Sequence, residues 1–207
     1  RTPAIIVEVP VNGISRAIVE ANAWMFQQIL ARGVHGIILC KANTADAVRA
    51  FVECCRFPVQ RAGVGEGVGE GVRGFGAEIS AAHIWGVDTE TYGAKADPWP
   101  LNPDGELILG IKIETVNGVE QLEEIIAVPG IAFAEVGPTD MSYALGIPKL
   151  TVPLSGKVAE IEKRVGEACK ASGVPYHPFT GHLGPEGIPN VIDAGGRYFT
   201  APSEEIA

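Results

Sequence analysis

Two carboxylates carry the first chemical signal in this sequence. Glu114 closes the apolar run Leu107 to Thr115 (LILGIKIET), and Asp140 follows the run Ile131 to Val136 just past a Gly137-Pro138 turn. Acids at the C-terminal ends of strands in a parallel α/β fold point at one crevice, so residues far apart in sequence can meet across one ligand. Two carboxylates with waters and a chelating substrate make an octahedral oxygen site of the kind Mg²⁺ or Mn²⁺ takes, with Co²⁺ a further candidate. The spacing alone suits two ordinary strand-end acids equally well. Lys112 lies two residues before Glu114, and the period of two along a strand puts both on one face. A lysine there could serve as an imine-forming nucleophile. The carboxylate beside it favours the charged ammonium, which makes a salt bridge within the site the simpler role.

Other reactive side chains give weaker signals. Lys41 follows Cys40 at the C-terminal end of a short apolar run, where a residue of the catalytic face would sit. His35 precedes that run and reads as structural, while His83, His177 and His182 fall near loops and nothing in their spacing selects among them. A formal GxGxxG occurs at Gly69, Gly71 and Gly74, but it follows a helix instead of a strand, and Glu66 and Glu70 would repel a pyrophosphate. The run reads better as a flap beside a pocket. Cys40, Cys54, Cys55 and Cys169 include no CxxC, so they read as reduced thiols and not as a disulfide or zinc framework.

The elements that must position these residues alternate in type. Ala4 to Pro10 reads as a strand, Asn12 to Leu30 as a helix stopped by Gly33, and Gly36 to Cys40 as a buried strand. Thr44 caps a helix ending at Phe57-Pro58. Arg61 to Pro103 lacks periodicity and reads as an irregular Gly-rich and Pro-rich loop, whose Trp85 and Trp99 rings serve as structural cover. Leu107 to Thr115 and Ile131 to Val136 flank a helix with Val119, Leu122, Ile125 and Ile126 on one face, a βαβ unit. Beyond the loop Ile147 to Pro153 come a helix from Lys157 to Ser172, a strand from Val174 to Phe179, a helix from Glu186 to Ala194 and a last strand from Tyr198 to Ala201. Strands alternating with helices predict a parallel α/β architecture within one domain spanning residues 1–207. A closed (β/α)₈ TIM barrel needs eight strands and typically about 250 residues, so the count of about six predicts a barrel whose first one or two βα units are missing.

Bulk properties narrow the partners. The chain has 207 residues, of which 46% are hydrophobic, enough to bury a sizeable core. Lys and Arg number 16 against 25 Asp and Glu, a net charge of −9 with no basic cluster, which argues against nucleic acid or an anionic membrane surface as partner. Small molecules fit better. No apolar run approaches the roughly 20 residues that span a bilayer, and the expected setting is cytoplasmic.

The sequence around the two acids carries a resemblance. IKIET, followed by VPGIAFAEVGPTDMSYALG from Val128 to Gly146, resembles the HpcH/HpaI aldolase family, whose pattern is a Q-I-E-T-like strand, a helix, and V-P-G-V-D-x-x-x-I-G-P-x-D-L-S-x-x-L-G. The similarity extends from about Ile5 through Phe57-Pro58 to the last predicted strand. It implies a (β/α)₈ barrel and a class II pyruvate-type aldolase, a lyase that cleaves 4-hydroxy-2-oxo acids to pyruvate or a related 2-oxo acid plus an aldehyde. Glu114 and Asp140 match the family's two metal ligands. The backbone around Gly137, with Pro138 and Thr139, would hold the substrate carboxylate, and a homo-oligomer, a hexamer built as a trimer of dimers, is implied. The chain also departs from the pattern. The family's pyruvate-binding arginine falls on Glu8, Lys112 replaces the usual glutamine, and no segment matches the early loop that carries the histidine base. Arg73 is the candidate to supply the missing positive charge. Two readings therefore stand beside the metal-dependent lyase: a Schiff-base aldolase using Lys112, and a non-catalytic homologue that binds metal and a 2-oxo acid.

Overall fold

A computed structural model of the chain describes residues 3–76 and 78–200. One all-parallel sheet organises it, formed by β1 (Ile6–Asn12), β2 (Gly36–Cys40), β3 (Pro98–Trp99), β4 (Leu107–Ile113), β5 (Phe133–Val136) and β6 (Tyr176–His177). The order is β1-β2-β4-β5-β6, with β3 added to the start of β4, and among the described residues the ladder does not close on itself. The connecting helices are α1 (Arg16–Ala21), α2 (Ala23–Leu30), α3 (Ala45–Cys55), α4 (Glu78–Trp85), α5 (Thr89–Lys95), α6 (Val116–Glu120), α7 (Leu122–Ile126), α8 (Pro138–Ala144), α9 (Gly156–Ser172) and α10 (Ile188–Asp193).

Strand alternation sorts β4 into two faces. Leu107, Leu109, Ile111 and Ile113 are at most 1% exposed and join Val48, Phe51, Leu122 and Ile125 in the main core, which puts helices α3 and α7 behind the sheet. Gly110, Lys112 and the following Glu114 belong to the opposite face. The helices that follow β2 and β4 open on side-chain caps: Thr44 accepts from the Ala47 N–H at 3.1 Å to open α3, and Thr115 accepts from the Gly118 N–H at 3.0 Å to open α6. Gly173, left-handed at φ 71°, closes α9.

Several elements depart from the sequence expectation. The helix expected from Asn12 is two pieces broken at Asn22, and Asn12 itself ends β1. The βαβ helix is likewise divided, at Gln121, into α6 and α7. The segment expected to be irregular, 61–103, holds α4, α5 and β3. A second small core of Phe57, Ala81, Ala82, Tyr92 and Ala96 forms beneath it. Buried Arg56 anchors this unit, its Nε donating to Asp97 Oδ1 at 2.6 Å. The expected strand from Val174 to Phe179 shrinks to the two residues of β6. Tyr198 to Thr200 do not form a strand, and Ala201 lies outside the described residues. Tyr198 instead stacks on Phe133, ring centroids 4.6 Å apart, while Gly196 makes one parallel bridge to Tyr176.

Candidate active site

At the C-terminal end of β4, Glu114 is buried to 4% exposure and one carboxylate oxygen accepts from the Lys41 backbone N–H at 2.9 Å. Lys41 follows β2 and has φ 51°, a left-handed conformation uncommon outside glycine. Its ammonium reaches the other way, Nζ lying 3.5 Å from Asp140 Oδ1. One residue thus contacts both acids. Burial pushes the Glu114 carboxyl above its ordinary pKa, and the Asp140 charge adds to the shift, against the Lys41 N–H and the ammonium groups of Lys112 and Lys41. The expected Gly-Pro turn before Asp140 is the start of a helix: Gly137 is the N-cap of α8, Pro138 takes its first position, and Asp140 sits in its first turn.

Gly137 is fixed by sterics. A Cβ there would stand 2.1 Å from Glu114 Oε2 and 3.0 Å from Lys112 Cδ, so only glycine lets the β5-α8 turn pack against both side chains. The same contact confirms that Lys112 and Glu114 share a face. The expected substrate cradle is narrower than the sequence implied. The Gly137 N–H donates to the Ile113 carbonyl at 3.2 Å and proline has no N–H, which leaves the Thr139 backbone.

Lys112 does not pair with Glu114. Its ammonium is hydrogen-bonded to Glu8 and lies 3.1 Å from Glu135 Oε1, an ion pair without hydrogen-bond alignment. Burial lowers its pKa, but the Glu8 hydrogen bond and the Glu135 charge outweigh that and raise it well above the ordinary lysine value. The strand register explains the grouping: Lys112 is paired with Glu135 across β4 and β5, and Glu135 with His177 across β5 and β6. Three charged or polar side chains therefore stand in one row. His177 Nδ1 lies 2.6 Å from Glu135 Oε2, and its Nε2 lies 3.0 Å from Thr200 Oγ1. Burial of Glu135 raises its pKa, yet the His177 hydrogen bond and the Lys112 charge prevail and hold it below the ordinary value. Glu8, Lys112, Glu135, His177 and Thr200 line a cavity of about 240 Å³ with Gly137.

Arg73, of which a catalytic role was expected, is not brought into this group. It is 3% exposed, lies 4.2 Å over the Phe57 ring and donates to the Tyr92 hydroxyl at 2.6 Å, in the second core. The glycine run around it is packed structure and not a flap: Gly69 N–H donates to Glu53 at 2.8 Å, and a Cβ on Gly71 would meet the Arg56 carbonyl at 2.5 Å. His35 accepts from the Ile5 N–H and stacks on Trp85, as a structural residue would. Trp85 is cover, donating to the Gly33 carbonyl. All four cysteines are free. The sequence reading passed over Glu135, although a lone acid inside the apolar run Ile131 to Val136 was a usable signal, since a buried carboxylate requires partners. His177 could not be selected until register put it beside Glu135.

The donor set at the two acids fits a hard divalent cation. Both candidate ligands are carboxylates, and the buried, crowded negative charge at Glu114 is what such an ion would relieve. Among the described residues no group of three or more His, Cys, Asp or Glu could hold a metal, so water and substrate oxygens would complete the shell.

An all-parallel sheet with helices packed on one face and polar side chains toward its C-terminal strand ends defines a parallel α/β protein. Residues 4–179 match the family described as HpcH/HpaI aldolase/citrate lyase, and the chain belongs to that family. It is 29% identical over 188 residues to the hydroxypyruvate/pyruvate aldolase of Roseobacter denitrificans, covering 90% of this chain and 64% of that one. It is 32% identical to the 2-keto-3-deoxy-L-rhamnonate aldolase of Klebsiella pneumoniae over 63% of this chain and 42% of that one. The chain thus spans less than two thirds of the length of these relatives. In fold it resembles the crystal structure of an HpcH/HpaI aldolase/citrate lyase family protein from Burkholderia cenocepacia, with TM-score 0.71 at 24% identity over 95% of this chain and 65% of that one. The expected barrel fold is the fold of this family.

Proposed function

We propose that this chain carries the metal half of a carbon-carbon lyase site that cleaves 4-hydroxy-2-oxo acids to pyruvate or a related 2-oxo acid and an aldehyde. The observation that carries the reading is the pair Glu114 and Asp140 past the C-terminal ends of β4 and β5, both in contact with Lys41. These two carboxylates would hold Mg²⁺ or Mn²⁺, which when bound supplies a Lewis acid for the negative charge that cleavage develops on the keto oxygen. The residues of the chain do the rest. The Thr139 backbone N–H, in the first turn of α8 where helical amides have no intrahelical acceptor, would orient the substrate carboxylate. Lys112, held charged between Glu8 and Glu135, offsets part of the negative charge that these two carboxylates bring to the face beside Glu114. The likeness to a hydroxypyruvate/pyruvate aldolase supports pyruvate as donor, and a homo-oligomeric, hexameric assembly belongs to the same proposal.

A Schiff-base role for Lys112 is disfavoured, because two carboxylates keep its proton on. The non-catalytic reading keeps one observation in its favour: Glu8 and Lys112 neutralise each other where a cationic clamp is expected. The test is release of pyruvate from a panel of 4-hydroxy-2-oxo acids, with and without EDTA. The expected result is cleavage abolished by EDTA, restored by Mg²⁺ or Mn²⁺, and lost in Asp140→Asn. Pyruvate binding without cleavage of any substrate would make the chain a binding homologue, and a borohydride-trapped adduct on Lys112 would overturn the metal reading.

A further inference from the structure

We infer that His177, oriented by Glu135, is the proton-transfer group of this site, an inference that rests on the lyase reading above. Lyase chemistry on a 4-hydroxy-2-oxo acid needs an atom that takes the hydroxyl proton and returns one to carbon, and the cavity beside Gly137 has few candidates. The Glu8 carboxylate is tied to the Lys112 ammonium, and that ammonium is shared with Glu135. Glu135 is itself shared between Lys112 and His177. The imidazole is different. With Glu135 ionised, its oxygen 2.6 Å from Nδ1 can only accept, so Nδ1 carries a proton, and in the neutral form of the ring the lone pair lies on Nε2. Nε2 lies 3.0 Å from the Thr200 hydroxyl, which donates to it and marks the place a substrate hydroxyl would occupy.

The arrangement is built into the sheet. Lys112, Glu135 and His177 are register partners on three adjacent parallel strands, so the ammonium, carboxylate and imidazole form a row fixed by backbone pairing. Gly110 lets the Phe133 ring lie across it, since a Cβ there would be 2.4 Å from that ring, and Phe133 meets His177 edge-on, ring centroids 6.1 Å apart. The ring is therefore held from two directions, and Gly137 separates this row from Glu114.

The step balances without any further reactant. Nε2 takes the 4-hydroxyl proton, the O–H electron pair becomes the aldehyde C=O, and the C3–C4 bond breaks with its pair forming the C2=C3 bond of an enolate. The same proton then passes from Nε2 to C3, giving the 2-oxo acid and a neutral imidazole.

Exchange of the pyruvate methyl protons in D₂O, followed by NMR with Mg²⁺ present and no aldehyde, reads the second half of this sequence directly. Pyruvate binding is measured in parallel by calorimetry. The expected result is that the wild-type chain exchanges the methyl protons and that His177→Gln binds pyruvate within about threefold of wild type while exchange falls by about 10²- to 10⁴-fold. In His177→Ala, added imidazole should restore exchange, which a purely structural histidine would not allow. His177→Gln exchanging at the wild-type rate, or His177→Ala losing exchange with no rescue by imidazole, would overturn the assignment while leaving the lyase reading standing. A wild-type chain that neither binds nor exchanges pyruvate would overturn both.

Discussion

Lys41 couples two opposing demands at one residue. Its left-handed backbone aims an N–H at Glu114, while its side chain puts an ammonium 3.5 Å from Asp140, in the position of a built-in counter-cation. A divalent ion entering between the acids must meet that charge. Lys41→Met keeps the N–H and removes the ammonium, and the expected outcome is tighter Mn²⁺ binding by about two- to fivefold, the scale of a partly exposed ion pair. Titration followed by electron paramagnetic resonance checks it, and weaker binding would show that Lys41 supports the ion instead of competing with it. The two buried glutamates make opposite contributions to stability. Glu114 has a folded pKa raised above its unfolded value, so its contribution is fully present below the unfolded pKa and is lost as pH rises through the folded one. Glu135 has a lowered folded pKa, so its contribution is present above the unfolded pKa and lost as pH falls through the folded one. In EDTA at neutral pH, Glu114→Gln should therefore raise Tm and Glu135→Gln should lower it, with both differences shrinking toward acid pH in thermal scans. A lower Tm for Glu114→Gln would mean that its hydrogen bond to Lys41 outweighs its desolvation.

At the scale of elements, the turn between β5 and α8 sets the geometry of everything near Glu114. Gly137→Ala puts a methyl group 2.1 Å from Glu114 Oε2, and neither the turn, whose N–H is tied to Ile113, nor the buried carboxylate can yield freely. The expected outcome is a destabilisation of about 1–3 kcal/mol, the scale of overpacking, with loss of divalent-ion affinity measured on the folded variant. Unchanged ion binding would show that Glu114 does not need its present position. This element was also only half legible in the sequence. The strands on either side were readable because Leu107, Leu109, Ile111 and Ile113 alternate with residues of the other face, and the acids were readable as strand-end residues. That Asp140 sits on a helix was hidden by Gly137-Pro138, which reads as a turn but serves here as an N-cap and first helical residue. Arg73 is a candidate in the sequence because the family's arginine falls on Glu8 and the glycine-rich segment holds another positive charge. In the structure Gly69 packs on Glu53 of α3 and Gly71 on the Arg56 and Phe57 backbone just past that helix, while Arg73 lies among aromatic rings. Lys112 shares a face with Glu114, as strand alternation predicts, but its partners come from other strands, and pairing register is not written in any one strand.

Across the whole molecule, the two faces of the sheet do different work. The outer face and the helices behind it form one continuous apolar core, while the inner face carries Glu8, Lys112, Glu135 and His177 beside the two acids. The missed helices follow from the same division. In α4, the sequence EISAAHIW is apolar on all sides and shows no helical period, and α5 buries only Tyr92 of its seven residues, so neither could announce itself. Stability should then concentrate where strands are paired on both sides and packed on the outer face. In hydrogen exchange, the amides of Leu39, Leu109 and Ile111, all at 0% exposure in β2 and β4, should be the slowest, and those of two-residue β6 much faster. Saturation with Mg²⁺ and pyruvate acts on the other face. At a ligand concentration of about 100 times Kd the native state gains about 2.7 kcal/mol, and locally opening amides should slow first where the ligand sits. Protection should rise at Lys41, at the end of β4 and through α8, with a further rise at His177 if the cavity beside Gly137 is filled. A ligand-induced rise confined to α9 and α10 would place the bound pyruvate outside the cluster of Glu114, Asp140 and Lys41 and would remove the basis for reading these residues as a site.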